Sequence, residues 1–340
     1  MKKILVTGGL GYIGSHTVVE LQNSGFEVII IDNLSNSSLN VLEGITSITK
    51  KPPVFERLDL RIKADVIDFF QRHENIAGVI HFAASKAVGE SVAQPLYYYE
   101  NNISTLIYLL QECKAHSINN FIFSSSCTVY GEPDSLPITE EAPVKKATSP
   151  YGNTKQISEE ILEDTCSVHP QFRCIALRYF NPIGAHDSAM IGELPVGVPQ
   201  NLVPFITQTA AGVRKELAIF GNDYNTSDGS CIRDYIHVVD LAKAHVVALE
   251  RLLKKANASN FEIFNVGTGK GTSVLEIVEA FEAVSELKLP YRIVERRPGD
   301  VVSVYADTTK ANEILEWKAE RSLKDALSSA WKWEQHIRNL

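Results

Sequence analysis

Lys3-Ile-Leu-Val-Thr7, followed at once by Gly8-Gly9-Leu10-Gly11-Tyr12-Ile13-Gly14, is the stretch that decides the fold of this chain. Residues 3–7 form a short apolar run with β-branched members, typical of a strand buried on both faces. A helical pattern follows the glycines and ends at Gly25. Glycines between a strand and a helix permit a tight turn, close approach of the backbone to a diphosphate, and close packing of helix on strand. The stretch therefore predicts a dinucleotide-binding turn.

The next predicted strand, Glu27–Asp32, ends in a carboxylate 18 positions after Gly14. A carboxylate at this place accepts hydrogen bonds from both ribose hydroxyls of an adenosine, and it repels a 2′-phosphate. The spacing therefore favours NAD over NADP as the cofactor.

Strands and helices alternate along the first half of the chain. Further strands are predicted over residues 54–58, 78–84, 120–124 and 173–178, with helical patterns between them, among them one long helix over 98–116. This alternation indicates an α/β fold with a Rossmann-type doubly wound parallel sheet. After about residue 185 the composition shifts to proline-containing loops and short elements, with a helix predicted over residues 201–213. We predict an NAD-binding domain over residues 1–180 and a smaller C-terminal α/β substrate domain over 181–340, with a helix (238–253) and a strand (261–266) returning to the first domain.

The segment Ser149-Pro-Tyr151-Gly-Asn-Thr-Lys155 opens a helical pattern over residues 151–169. Side chains four positions apart lie on one face of a helix, so the phenol of Tyr151 and the ammonium of Lys155 point the same way. A phenol has a pKa near ~10, and a fixed cation nearby favours the phenolate. The pair predicts Tyr151 as a base near neutral pH, with a solvated helix start as the alternative. One of the three serines at 124–126 is expected to face Tyr151.

Composition narrows the class of partner. A net charge of −8 argues against nucleic acid as the main partner. The five cysteines form no CxxC pair, which fits reduced thiols, and the nine histidines show no metal-ligand spacing, so no metal is expected. No apolar run approaches the length of a membrane span and no leader precedes the first strand, so we expect a cytoplasmic protein with no membrane partner.

Over essentially its whole length the chain resembles the extended short-chain dehydrogenase/reductase superfamily and, within it, the UDP-glucose 4-epimerase family. The glycine turn and the Tyr151/Lys155 pair identify the superfamily. The more specific motifs are Asp32-Asn33-Leu34, His81-Phe82-Ala83, Lys86-Ala-Val-Gly-Glu-Ser91, Arg178-Tyr-Phe-Asn-Pro182, Ile219-Phe-Gly-Asn-Asp-Tyr224, Arg233-Asp-Tyr-Ile-His237 and Arg297-x-Gly-Asp300. The resemblance implies a homodimer that interconverts UDP-glucose and UDP-galactose at C4, with NAD, through a 4-keto sugar.

The resemblance also implies roles for single residues. Tyr151 would take the proton of the sugar 4-hydroxyl, Lys155 would lower the pKa of Tyr151 and bind the nicotinamide ribose, and Ser126 would hydrogen-bond the 4-oxygen. The implied cofactor-binding residues are Gly8, Gly11, Tyr12, Ile13, Gly14, Asp32, Asn33, Leu34, Ser35, Asn36, Ser37, Asp59, Leu60, Phe82, Ala83, Ala84, Lys86, Asn101, Ser126, Tyr151, Lys155 and Phe180. The implied substrate-binding residues are Lys86, Ser126, Tyr151, Asn181, Asn201, Leu202, Ala218, Phe220, Arg233, Arg297, Asp300 and Val304.

One departure and three alternatives accompany this resemblance. Close bacterial relatives carry a bulky tyrosine where this chain has Val304, so UDP-GlcNAc and UDP-GalNAc are expected to be accepted as well. Sugar-nucleotide 4,6-dehydratases of the same superfamily typically carry an Asp-Glu pair where this chain has Cys127-Thr128, which argues against dehydration. Another UDP-sugar enzyme, such as a UDP-glucuronate decarboxylase or 4-epimerase, stays open. A non-catalytic dinucleotide-sensing protein usually lacks the tyrosine–lysine pair.

Overall fold

The computed structural model of the protein describes residues 1–297 and 300–340. The strands are β1 (Lys3–Thr7), β2 (Glu27–Asp32), β3 (Val54–Arg57), β4 (Ile76–His81), β5 (Asn120–Ser126), β6 (Arg173–Tyr179), β7 (Asn181–Ile183), β8 (Leu217–Phe220), β9 (Ile232–His237), β10 (Phe261–Val266), β11 (Gly271–Ser273), β12 (Tyr291–Val294) and β13 (Ser303–Val304). The α-helices are α1 (Tyr12–Asn23), α2 (Asn40–Thr49), α3 (Lys63–Arg72), α4 (Val88–Ala93), α5 (Pro95–Tyr99), α6 (Thr105–Ala115), α7 (Pro150–Val168), α8 (Leu202–Ala210), α9 (Val238–Leu253), α10 (Val274–Ser285), α11 (Thr309–Glu313) and α12 (Leu323–Arg338). A π-helical turn (Glu100–Ser104) joins α5 to α6, and a 3-10 turn (Cys127–Tyr130) follows β5.

Seven parallel strands form the central sheet, in the order β3-β2-β1-β4-β5-β6-β10. The order reverses between β1 and β4, because the chain builds outward from β1 first on one side and then on the other. Open α/β sheets bind their ligands at the carboxyl ends of the strands beside such a reversal. The predicted α/β fold with a Rossmann-type doubly wound sheet is confirmed.

Both faces of this sheet are buried. Successive strand residues point to opposite faces, so Ile4 and Val6 join the core under α1 and α9, whereas Leu5 joins the core under α3, α6 and α7. Burial on both sides explains why β1 and β2 are almost continuously apolar.

The C-terminal part builds smaller layers beside the sheet. Strands β7, β11 and β13 each pair with β9, and β8 pairs with β12. Helices α8, α10 and α12 pack over them around a third core that includes Ile206, Phe281 and Leu327. Helix α9 lies against α1, and β10 pairs with β6 at the edge of the central sheet. Among the described residues, no helix is both long and apolar enough to span a membrane.

Several predicted bounds were wrong at their ends. Strand β4 covers Ile76–His81 rather than 78–84, because residues 82–84 leave the sheet and line its carboxyl edge. The helix predicted over 98–116 begins earlier, at Pro95, and contains the π-helical turn. Helix α8 ends at Ala210 rather than at residue 213.

Candidate active site

The glycine turn before α1 has little room for side chains. Gly14 has no room for a side chain, because an added Cβ would lie 2.2 Å from the Gly8 carbonyl oxygen. At Gly8 the backbone is left-handed (φ +68°), and an added Cβ would lie 2.9 Å from the Ala83 nitrogen. No side chain caps α1 at Gly11. The first N–H groups of the helix, from Tyr12 to Gly14, therefore have no capping side chain as a partner. They could donate to a diphosphate instead.

Asp32 is fixed beside this turn. Its Oδ2 accepts a hydrogen bond from Leu10 N (3.1 Å), and its Oδ1 accepts from Leu34 N (2.9 Å) and Ser37 Oγ (2.7 Å). The loop over residues 33–37, with Asn36 exposed on it, thus wraps around a carboxylate at the carboxyl end of β2. This position fits the adenosine ribose predicted for Asp32.

The neighbouring strand end carries Asp59 and Leu60. Asp59 pairs with Arg61 (2.7 Å) and accepts from Asn33 Nδ2 (3.3 Å), while Ser35 N donates to Asn33 Oδ1 (3.0 Å). Leu60 packs its side chain into the core under α3, so only its backbone is available to a ligand.

The other side of the strand reversal is lined by Phe82, Ala83 and Ala84. Phe82 packs on His245, with ring centroids 4.6 Å apart, and Ala83 N donates to Thr7 Oγ1 (3.4 Å). On the following loop, Lys86 Nζ lies 3.6 Å from Glu193 Oε1 and 6.0 Å from the Tyr12 ring.

The π-helical turn reaches the same loop. Asn101 Nδ2 donates to Ser85 Oγ (3.2 Å). Asn102, which we did not predict, accepts from Ser85 N (2.8 Å) and donates to Thr154 Oγ1 (3.0 Å). The turn therefore connects the Lys86 loop to α7.

Tyr151, Lys155 and Ser126 converge at the carboxyl end of β5, each less than 10 % exposed. Ser149 caps α7 by accepting from Gly152 N (3.1 Å), which sets Tyr151 in the first turn. Lys155 Nζ lies 6.0 Å from the centroid of the Tyr151 ring and donates to the Ser124 carbonyl oxygen (2.7 Å). The structure thus brings together the three residues implied to be catalytic.

Burial is the largest influence on the pKa values of Tyr151 and Lys155. Burial raises the pKa of Tyr151 well above its usual range, against a smaller opposite effect of hydrogen bonding by Ser126. Burial also lowers the pKa of Lys155 to about 8, although the Glu159 carboxylate opposes this. The ammonium of Lys155 is turned toward the Ser124 carbonyl oxygen, 6.0 Å from the centroid of the phenol ring, and the expectation that Lys155 lowers the pKa of Tyr151 stays a prediction.

A buried ion pair lies beneath the trio. Glu159 on α7 and Arg178 on β6 approach to 2.6 Å, with side chains 7 % and 3 % exposed. Ser125 Oγ donates to Glu159 (2.5 Å), and the Arg178 guanidinium lies 4.7 Å from the centroid of the Tyr130 ring. We did not predict a role for Glu159 from the sequence, because its partners Ser125 and Arg178 lie far away in the chain, on β5 and β6.

Three of the implied substrate-binding residues, Arg233, Arg297 and Asp300, lie together. Asp300 lies 2.8 Å from Arg297 Nη2 and 3.8 Å from Arg233 Nη2, and Arg297 also lies over the Phe220 ring (5.5 Å). The group keeps a net positive charge, which suits a diphosphate. Pro298 and Gly299 of the motif lie outside the described residues.

The remaining implied substrate residues are distributed over several elements of the C-terminal part. Val304 pairs with Arg233 through β13 and β9, and Val304 and Phe180 are buried in one small apolar cluster. Asn201, directly before α8, donates to Glu193 Oε1 (2.6 Å). Glu193, a residue we did not predict, therefore contacts both Asn201 and Lys86. Asn181 lies in β7, Leu202 at the start of α8 and Ala218 in β8.

All five cysteines are free, and burial raises the pKa of Cys127, next to Ser126, to about 12. Within residues 1–297 and 300–340, no group of three or more His, Cys, Asp or Glu side chains is placed to hold a metal ion.

Comparison with known proteins places this geometry in a family. Residues 5–330 match the family model described as GDP-mannose 4,6 dehydratase. The chain is 51 % identical to a UDP-glucose 4-epimerase of Dictyostelium discoideum over 98 % of this chain and 95 % of the relative. A solved UDP-glucose 4-epimerase of Stenotrophomonas maltophila with bound NAD and formylated UDP-arabinopyranose superposes with a TM-score of 0.96 at 45 % identity, covering 100 % and 99 % of the two chains. One of Bifidobacterium longum in complex with NAD+ and UDP gives 0.94 at 46 % identity, covering 99 % of each. The chain therefore belongs to the UDP-glucose 4-epimerase family.

Proposed function

We propose that this chain catalyses the reversible, NAD-dependent epimerisation of UDP-glucose and UDP-galactose at C4, through a 4-keto sugar. The observation that carries the proposal is the convergence of the buried side chains of Tyr151, Lys155 and Ser126 at the carboxyl edge of the sheet that also bears the glycine turn. The names of the relatives support the same activity.

The residues present fit NAD, and different residues would bind different parts of it. The glycine turn would hold the diphosphate, Asp32 the adenosine ribose, and Lys155 the nicotinamide ribose. When bound, NAD supplies the acceptor for the hydride of sugar C4 and a positively charged ring that favours a nearby phenolate. Tyr151 takes the proton of the 4-hydroxyl and later returns it to the 4-oxygen. Ser126 donates to that oxygen, and the burial of all three side chains keeps water from the ketone.

The implied substrate-binding residues would likewise bind different parts of the UDP-sugar. Arg233 and Arg297 would bind the UDP diphosphate, with Asp300 holding both guanidinium groups in place. Asn181 would contact the same part of the substrate. The uridine would lie against Leu202, Ala218 and Phe220, with Asn201 at the start of α8.

The residues after Ser126 favour epimerisation over dehydration. Elimination of water from the sugar needs an acid and a base, and the chain offers Cys127 and Thr128 at the two positions. Burial raises the pKa of the Cys127 thiol to about 12, so it stays protonated and is a poor acid and a poor base near neutral pH.

A second activity, epimerisation of UDP-GlcNAc and UDP-GalNAc, is favoured by Val304. This small side chain stands in the apolar cluster with Phe180 and Val129, where a tyrosine would take up much more space. We expect conversion of UDP-GalNAc by the unsubstituted protein, and we expect V304Y to lose this activity while UDP-galactose is still converted. An unsubstituted protein that converts only the glucose pair would contradict this second proposal.

Domain division and assembly are also proposed. Residues 1–180 with α9 and β10 would form the NAD-binding domain, and most of residues 181–340 the substrate domain. The protein would form a homodimer through the outer faces of the π-helical turn, α6 and α7, where Ile103, Ile107 and Ile157 are half-buried and belong to none of the four core clusters. Sedimentation equilibrium should give a dimer for the unsubstituted protein and a monomer for I107E; a monomer for both would contradict it.

The proposed activity is tested by incubating the purified protein with UDP-galactose and no added NAD, and measuring UDP-glucose. Conversion would mean that the cofactor is retained and regenerated in every turnover, which a net oxidoreductase does not do. Y151F should lose the activity but still bind NAD. No conversion, even with NAD supplied, would refute the assignment and leave UDP-glucuronate as the next substrate to test.

A further inference from the structure

The hydroxyl of Ser126 has two fixed partners on its own chain. Ser126 ends β5 and caps the 3-10 turn Cys127–Tyr130. Its Oγ accepts one hydrogen bond from the backbone N–H of Thr128 (3.2 Å) and another from Thr128 Oγ1 (3.0 Å). The proposed function gives Thr128 no part.

These two bonds decide where the proton of Ser126 can go. A serine hydroxyl has one proton and two acceptor lone pairs. Because Thr128 occupies both lone pairs, only the proton is left to make a further bond, and it must be donated. Two neighbours respond to this donor: hydrogen bonding by Ser126 opposes the rise in pKa that burial causes in the phenol of Tyr151 and in the thiol of Cys127. Of the two, the phenol takes part in the proposed reaction.

We propose that Thr128 is a positioning residue, which holds Ser126 as a hydrogen-bond donor toward Tyr151 and the reacting oxygen of the substrate. The inference rests on the proposed epimerisation, in which Ser126 donates to the 4-oxygen. Thr128 does not touch the reacting atoms and acts through Ser126. Without the Thr128 hydroxyl, Ser126 has a free lone pair and can accept from protonated Tyr151, which stabilises the wrong proton state for a base.

Thr128 also packs against the start of α7, the helix that carries Tyr151. An added Cβ at Gly152 would lie 3.3 Å from the Thr128 carbonyl oxygen and 3.5 Å from its Cβ. Gly152 follows Tyr151, so the turn that carries Thr128 is seated against the start of α7, next to the phenol. A test variant must therefore keep the shape of threonine.

T128V removes the hydroxyl at nearly constant shape, and T128S keeps the hydroxyl. For conversion of UDP-galactose, T128V should lower kcat about three- to tenfold, the factor of one neutral hydrogen bond, with KM changed less than about twofold. T128S should keep most of kcat. T139V, at an exposed threonine of the following loop, should match the unsubstituted protein. A T128V variant that matches T139V, or a T128S variant as impaired as T128V, would overturn the proposal.

A titration separates this inference from the proposed activity. In protein saturated with NAD, the phenolate absorbance of Tyr151 is taken as the difference from Y151F and followed as the pH rises. T128V should shift the midpoint upward by about 0.5 to 1 pH unit, which corresponds to the same three- to tenfold factor; an unchanged midpoint would overturn the proposal. If the unsubstituted protein failed to convert UDP-galactose, the proposed epimerase activity would be refuted. The titration would still test the role of Thr128, because it does not depend on turnover. Should T128V not fold, T128S and T128A form a second pair that differs only in the hydroxyl.

Discussion

Neutralising one partner of the buried Glu159–Arg178 pair should cost much more stability than breaking an exposed pair. In E159Q, the Arg178 guanidinium would stay charged with a side chain only 3 % exposed, and Ser125 would lose its carboxylate acceptor. Stranding a buried charge in this way costs about 3–5 kcal/mol. We therefore expect E159Q, which removes only the Glu159 charge, to lower the free energy of unfolding by about 3–5 kcal/mol.

The assay is urea unfolding followed by tryptophan fluorescence, at one NAD concentration for all variants because bound ligand raises apparent stability. E250Q is the matched control: Glu250 near the end of α9 pairs with Lys254, which follows the helix (2.8 Å), and because this pair is exposed its loss should cost only a small fraction as much. The double variant E159M/R178M leaves no stranded charge and should recover most of the loss. A cost for E159Q no larger than that for E250Q, or a double variant less stable than E159Q, would refute the reasoning.

Three further predictions concern the cofactor and the pH profile. G14A should abolish NAD binding in a fluorescence titration, because the added Cβ would lie 2.2 Å from the Gly8 carbonyl oxygen; G89A, with open space around it, should bind normally. D32A should weaken NAD binding at least about tenfold, since hydrogen bonds to a charged group contribute about 1.5–3 kcal/mol, and the affinity for NADP should change far less. The value of kcat/KM should fall as pH rises through about 8, where buried Lys155 loses the charge that favours the phenolate; a profile flat to about pH 10, the range of an ordinary lysine, would contradict this.

Local sequence patterns predicted the parts of the site that follow directly from a strand or a helix. The bounds of β1 and β2 match the structure, and the glycine turn and Asp32 lie beside each other because the carboxyl ends of parallel strands meet at one edge. The four-residue spacing of Tyr151 and Lys155 predicted that both side chains lie on one face of the helix, and the Lys155 ammonium is 6.0 Å from the centroid of the Tyr151 ring. What it did not predict is the rotamer of Lys155, which depends on the carbonyl of Ser124 on another element.

Other features depend on contacts between distant parts of the chain. The wide π-helical turn has no signature in a 3.6-residue pattern, so a continuous helix was predicted over it. Glu193 meets Lys86 and Asn201 only after the chain has folded, and nothing in the residues around it indicates this. Strands β7, β11 and β13 have two or three residues each, too few to show an alternation.

The central claim, that C4 is oxidised and then reduced within one site, is tested most directly with UDP-galactose carrying deuterium at C4. The purified protein is incubated with this substrate in ordinary water without added NAD, and the UDP-glucose formed is analysed by mass spectrometry and NMR. The account predicts that the product keeps deuterium at C4, because the hydride removed from one face of the sugar returns to the other. Product that has lost the label to solvent, or no UDP-glucose at all, would contradict it.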